Sequence, residues 1–327
     1  MAPALMNRFR ADLDRLIGGE GIIALAVSGG ADSLALLLLA AAALPGRIAA
    51  ATVDHGLRTE AAEEAAYVAA LCAGIGCQHA ILRVQVAAGG AGIQGEARRA
   101  RYDALAAWAR ELRAAALATA HHRDDQAETV LMRLMRGAGA RGLAGIHPRR
   151  DDLGLPLIRP LLSWSRHELQ KVVGAAGLKA VDDPSNHAAR YERTRARRLL
   201  ALHPELDAVR LSRSAAALRQ ADEALDWSVA ALAAERIRAA RNGYVVDPRE
   251  LPRELRRRLL AEGLRRVLPG TAALRGLDRL LDLLDDGGSG TLAGVAATNE
   301  GGAWLLRPAP PRRGEDRGAA GRTRRDD

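Results

Sequence analysis

Between residues 22 and 120, short apolar runs alternate with longer stretches whose apolar residues recur at helical spacing. The runs at 22–27, 47–54, 79–86 and 114–120 have strand length and are bounded by turn residues, so helices are expected to fill the intervals. Such alternation predicts an α/β fold, a doubly wound parallel sheet that binds ligands beyond the carboxyl ends of its strands. The polar clusters fall at those ends: Ser28 to Ser33 after the first run, Asp54 to Arg58 after the second, and His121 to Asp125 after the fourth. Three distant segments are therefore expected to meet at one crevice.

Past His203 and Pro204 the pattern changes. Helical spacing dominates 206–240, 251–267 and 272–284, and a small β-type unit is expected within 290–306. The chain is read as a larger α/β domain over 1–204, a smaller, mainly helical domain over 205–307, and a tail at 308–327. The tail is expected to be disordered, because proline, glycine, arginine and acidic residues leave it no core to build.

A length of 327 residues suits a sizeable core and two domains. Forty-eight basic residues against 39 acidic ones give a net charge of +9, and 46 of the basic residues are arginine, Lys171 and Lys179 being the lysines. Phosphate-bearing partners are favoured, although an arginine- and alanine-rich bias also follows from genome composition, so charge names no partner. With aromatic residues at 3%, rows of base-stacking platforms are not expected, and folded RNA read through shape and phosphates fits better. Cys72 and Cys77 flank a Gly-Ile-Gly turn and match no C-x-x-C spacing, so they are read as small buried side chains. Apolar runs stop short of membrane-spanning length and the N-terminus lacks a signal-peptide pattern, so a cytoplasmic protein with no membrane partner is expected. A homodimer is considered, but the pattern does not decide it.

The segment Ala24 to Leu39, ALAVSGGADSLALLLL, is a β-type run, a turn of small residues and a leucine-rich helix. Ser28, Gly29 and Gly30 remove the bulk that would keep a polyanion off the backbone, and the following helix points its free N–H groups and positive dipole end at that anion. No lysine follows the glycines, so neither GxxxxGK[ST] nor GxGxxG is present. The competing reading is a serine cap with an exposed aspartate.

A second segment, ATAHHRDDQAETVLMRLMRGAGARGLAGI at Ala118 to Ile146, opens a helix with two histidines, two aspartates and Glu128. Capping is the preferred role for Asp124, and Asp125 and Glu128 share a face. One carboxylate is a candidate to complete a Mg²⁺ site with Asp32, the other to receive a cationic amine. Of His121 and His122, one is expected to be structural, since neighbours on a strand cannot both face one metal.

The SGGADS run resembles the signature of PP-loop ATP pyrophosphatases. Taken with VDHGLR at Val53, GIQGEARRARYDAL at Gly92, AHHRDDQAETVLMRLMRGAG at Ala120 and DDPSNHAARYERTRARRLL at Asp182, the chain resembles the tRNA(Ile)-lysidine synthases. The resemblance implies that ATP adenylates C2 of the wobble cytidine of the isoleucine tRNA with a CAU anticodon, after which the ε-amine of L-lysine displaces AMP. Codon specificity then changes from AUG to AUA. It further implies ATP binding by Ser28, Gly29, Gly30, Ala31, Asp32, Ser33 and Arg98. Mg²⁺ would be held by Asp32 and Asp125, and catalysis carried by Asp32, Asp125 and Glu128. An anticodon loop presents unpaired bases, which lowers the cost of drawing one into a pocket.

Arg98 and Arg101 sit at spacing three on a helix, where a solvated stripe is the bland alternative. Arg190, Arg193, Arg195, Arg197 and Arg198 form the densest basic cluster, and Arg193, Arg195 and Arg197 are assigned to tRNA. Family members resemble this stretch as R-N-R-x-R, and here Thr194 replaces the asparagine. Two other readings remain at this stage: a PP-loop tRNA thiolase, which needs reactive or cluster-binding cysteines, and a non-catalytic RNA-binding module.

Overall fold

The computed structural model describes residues 2–18, 20–54, 60–84, 93–181, 192–270 and 274–310. The chain forms two compact units, Met1–Gln220 and Ala221–Asp327. Where the sequence pattern suggested a boundary at Pro204, the units divide inside a continuous helix, α9 (Ala208–Arg236).

The first unit is built on six strands: β1 (Ile23–Ala26), β2 (Ile48–Asp54), β3 (Gln78–Arg83), β4 (Ala116–Ala118), β5 (Arg149–Arg150) and β6 (Leu157–Ile158). Their order is β3-β2-β1-β4-β6-β5, parallel throughout except for β5, which runs antiparallel to β6. The four expected strands are present. β5 and β6 are two residues each, too short for periodicity to reveal. Helices connect them: α1 (Pro3–Asp14), α2 (Ala31–Ala43), α3 (Glu60–Gly74), α4 (Ile93–Glu111), α5 (Arg123–Met135), α6 (Ala140–Leu143), α7 (Arg166–Ala175) and α8 (Glu192–Leu202).

Strand alternation sorts the core. Ile23, Leu25, Ala50, Ala116, Ala118 and Ile158 face one side, packed with leucines of α2 and with Val172 and Val173 of α7. Ala24, Ala49, Ala51, Leu117 and Leu157 face the other, under Leu105, Trp108 and Ala109 of α4. Alanine is a poor strand former, but in central strands covered on both faces its small side chain lets the helices pack closely. Trp164 pins α1, donating its Nε1–H to Asp12 Oδ2 at 2.9 Å while Arg8 lies over its ring at 4.1 Å. β1 and β4 are central neighbours with Ile23 opposite both Ile48 and Ala116, so the turns leaving their carboxyl ends emerge side by side.

The second unit holds an antiparallel sheet in the order β7-β8-β11-β10-β9: β7 (Ile237–Ala240), β8 (Gly243–Val246), β9 (Ser289–Leu292), β10 (Val295–Glu300) and β11 (Ala303–Pro308). Helices α10 (Arg253–Val267) and α11 (Leu277–Asp285) cover it around Leu260, Leu264, Leu281 and Trp304. This corrects the helical reading of 206–240, because the helix ends at Arg236 and 237–240 is a strand. The missed signal is Asn242 followed by Gly243, turn-forming residues where the two-residue loop Arg241-Asn242 leads into β8. Gly263 lets α10 lie on the sheet, since a Cβ there would come within 2.5 Å of Leu306 Cδ1. The expected tail lies outside the described residues from 311 onward.

Candidate active site

The turn after β1 leaves its backbone open to a ligand. Ser28 N–H donates to Ser33 Oγ at 3.1 Å, and Ser33 Oγ donates to the Gly30 carbonyl at 2.9 Å, so the loop is fastened from within. Gly29 has φ +82°, and a Cβ there would lie 3.1 Å from Val181 Cγ2. At Gly30 an added Cβ would meet only Ser28 Oγ at 3.8 Å. Gly30 caps α2 without a side-chain hydrogen bond, so the first N–H groups and the positive dipole end of the helix remain for a polyanion. Ala31 and Asp32 open that helix.

The turn after β4 supplies the facing wall. His122 is fully buried and caps α5, its Nδ1 accepting the N–H groups of Asp124 at 3.2 Å and Asp125 at 3.4 Å. Asp125 Oδ2 accepts the His122 N–H at 3.1 Å and completes a capping box. The other ring nitrogen, Nε2, lies 3.3 Å from Asp32 Oδ2 and 3.5 Å from Asp125 Oδ2, so the two carboxylates converge on one imidazole. Burial opposes charge on this ring, as does the cap, which uses the Nδ1 lone pair of the neutral form. Asp124, Asp32 and Asp125 outweigh burial and raise the pKa to about 9, so protonation exchanges the cap for ion pairs with these carboxylates. His121 behaves oppositely. Burial, with Arg159, Arg98 and Arg193 nearby, holds it down to about 4 against the pull of Asp125, and its Nδ1 pairs with Thr119 Oγ1 at 3.0 Å.

Asp124 was expected to cap α5. Its Oδ2 instead accepts the N–H of Arg166, the first residue of α7, at 2.9 Å, because the buried His122 ring already fills the α5 cap. Burial works against its charge, but His122 and Arg166 carry the pKa down to about 2. Asp125 is also held below the carboxylate range: burial opposes, and the charges of His122, His121 and Arg193 prevail.

Glu128 is 1% exposed and surrounded by guanidinium groups. Arg197 Nε lies 2.6 Å from its Oε1, Arg193 Nε 2.9 Å from Oε2 and Arg166 Nη2 3.3 Å from Oε1. The sequence reading grouped Arg193, Arg195 and Arg197 as one RNA-facing set. The structure separates them, because one helical face of α8 turns Arg193 and Arg197 toward α5 while Arg195 stays exposed. Arg166 was not anticipated. Ser165 and Glu168 spell a capping box that marks where its helix starts, but no local pattern says which carboxylate it reaches. On α4, Arg98 is exposed and stacks 5.0 Å from the Tyr102 ring. The segments 55–58, 85–92 and 182–190, which carry other quoted motifs, lie outside the described residues.

Similarity to known proteins now bears on this geometry. Residues 5–205 match the PP-loop domain family. The tRNA(Ile)-lysidine synthase of Novosphingobium aromaticivorans is 47% identical over 316 residues, spanning 95% of this chain and 96% of that protein. The Zymomonas mobilis tRNA(Ile)-lysidine synthase is 45% identical over 301 residues, spanning 90% of each. The chain belongs to the tRNA(Ile)-lysidine synthase family. Among solved structures, a U34-tRNA thiolase from Methanococcus maripaludis shares the fold, with a TM-score of 0.54 and 18% identity over 66% of this chain and 80% of that one.

For a member of this lysidine synthase family, a divalent cation beside the phosphates is a question of fit. Asp32 Oδ1 is buried with no hydrogen-bond partner, and Asp125 adds a second hard oxygen donor nearby. No group of three or more His, Cys, Asp or Glu among the described residues forms a metal cage by itself. Mg²⁺ characteristically takes one or two carboxylates and completes its shell with phosphate oxygens and water, so this donor set fits it.

Proposed function

We propose that this chain ligates L-lysine to C2 of the wobble cytidine of CAU-anticodon isoleucine tRNA, using ATP and releasing AMP and pyrophosphate. It is a ligase of the lysidine synthase type. The observation that carries the reading is the meeting of the two turns: a cradle open to a polyanion at Gly30, with Asp32 and Asp125 converging on His122 beside it. The backbone of Ser28 to Ser33 would hold the departing pyrophosphate, with Arg98 reaching the nucleotide. Asp32 and Asp125 would hold Mg²⁺, which offsets charge developing on the phosphates.

The cytidine C2 oxygen is a poor leaving group, and its conversion to a phosphate ester makes attack at C2 feasible. The attacking amine must be neutral. Asp125, kept ionised by its neighbours, is suited to draw in the ammonium group. A carboxylate of lowered proton affinity does not deprotonate it, and that proton leaves to solvent before attack. Glu128, which shares a face with Asp125, would act chiefly by holding Arg166, Arg193 and Arg197 in place. Arg195, exposed on α8, is left to meet tRNA phosphates. No described helix is long and apolar enough to cross a membrane, and we assign the chain to the cytoplasm, where its substrates are held.

The thiolase alternative is disfavoured by the cysteines. The chain has two, Cys72 and Cys77, both buried just before β3 and near the amino ends of the strands, whereas the cradle lies at a carboxyl end. The decisive assay supplies ATP, labelled lysine and individual tRNAs, and the isoleucine tRNA alone is expected to take up label. In the same assay Asp32→Ala should abolish pyrophosphate release while tRNA still binds. Normal turnover by that variant would remove the role given to Asp32.

A further inference from the structure

Arg159 places a charge where the described residues give it no carboxylate partner. It interrupts the apolar run Leu-Pro-Leu-Ile-Arg-Pro-Leu-Leu at 155–162, directly after β6, and is 3% exposed. Its Nη1 donates to the His147 carbonyl and its guanidinium also hydrogen-bonds the Tyr102 hydroxyl, but its Nε is buried with no hydrogen-bond partner, and no carboxylate among the described residues pairs with it. A buried guanidinium in that state is strongly unfavourable unless a ligand completes it. The neighbourhood is also basic. Tyr102 lies beside it, Arg98 stacks on Tyr102, and the charges of Arg159 and Arg98 both reach His121.

The sheet order says which ligand belongs there. β1, β4 and β6 are consecutive neighbours, so along one rim come the phosphate cradle, then Asp125 and His122, then Arg159. Displacement at phosphorus places attacking and leaving groups in line, so the side away from the cradle falls to the acceptor and to the amine that follows it. A guanidinium this deeply sunk admits a small planar group and not a strand laid across the rim, and guanidinium with carboxylate is the favoured planar pair. Free lysine has the matching polarity, an anionic end for Arg159 and an amine for Asp125.

Resting on the ligase reading above, we propose that Arg159, backed by Tyr102, binds the α-carboxylate of the free lysine substrate and thereby selects the amino acid over other primary amines. The test compares L-lysine with cadaverine, which keeps the chain and the amine but lacks the carboxylate, in the wild-type chain, Arg159→Gln and Arg159→Lys. Wild type is expected to favour lysine in kcat/KM by roughly 10- to 100-fold, the range for a charge-assisted pair. Arg159→Gln should raise KM for lysine by that factor and level the two amines, with KM for ATP unmoved, and Arg159→Lys should recover part of the preference. Equal use of both amines by the wild-type chain overturns the proposal without any variant, as does a preference retained in Arg159→Gln. Failure of the wild type to transfer any amine overturns instead the ligase reading beneath it.

Discussion

Each unit contains a hub in which one charged side chain meets three of opposite sign, and two of these hubs are near mirror images. In the first, one carboxylate, Glu128, meets the guanidinium groups of Arg166, Arg193 and Arg197. In the second, one guanidinium, Arg258, meets Asp222 at 2.5 Å, Asp226 at 2.7 Å and Glu254 at 2.7 Å. Charge counting would rank them alike. Exposure and stoichiometry separate them: the three arginines around Glu128 keep about a third of their side-chain surface and carry more donors than one carboxylate accepts, so donors remain for a ligand. Arg258 is 5% exposed with Nε, Nη1 and Nη2 all engaged, so it joins α9 to α10 and keeps nothing to offer. A hub with surplus donors reads as a site, and one whose donors are consumed reads as a weld.

Substituting Glu128→Gln strips the counter-charge from three guanidinium groups and gives the largest expected effect. Lysidine formation should fall on the order of 100-fold through lost positioning, and stability by about 3 kcal/mol. Full activity in this variant would break the reading of Glu128 as the organiser of the crevice.

Arg258→Met leaves Asp222 buried beside an apolar chain. Urea denaturation should report a loss of about 3 kcal/mol, while steady-state assays at a permissive temperature return unchanged KM values for ATP and lysine. A shifted KM would erase the distinction between weld and site.

The pH dependence of stability sharpens the contrast from the active-site side. The raised pKa of His122, from 6.5 to about 9, means that its stabilisation is fully present below pH 6.5 and is lost as pH rises toward 9. The lowered pKa of Asp124, from 3.8 to about 2, means the opposite: its contribution is present above pH 3.8 and lost as pH falls toward 2. Melting temperatures across pH should therefore decline on both sides, and His122→Asn should flatten the alkaline limb. The smallest effect is expected at Arg195→Ala. Its tRNA affinity should drop a few-fold and the salt slope by about one ion, with KM for ATP unmoved. An unchanged slope would take Arg195 off the RNA surface.

Much of the first unit was legible beforehand because strand and helix periods are local signals. The strands at 22–27 and 114–120, and the polar turns after them, lie where alternation and turn chemistry put them. In the second unit the residues 237–240 have a helix-like composition, and only pairing with β8 turns them into a strand. Among site residues, Ser28, Gly29, Gly30 and Asp32 could be read from one short turn. The partner of Glu128 could not, because its three arginines come from two helices far along the chain.

The chain's residues by themselves determined the α/β class, the small-residue turn after β1 and the acidic opening of α5, since each follows from spacing within about a dozen positions. Tertiary structure alone decided that Asp32 meets His122, that Arg193 and Arg197 turn inward while Arg195 does not, and that Arg159 is buried with no counter-charge among the described residues. Such facts depend on which strands are neighbours and which helix faces touch, and an electrostatic contact between distant segments leaves no periodicity in the sequence.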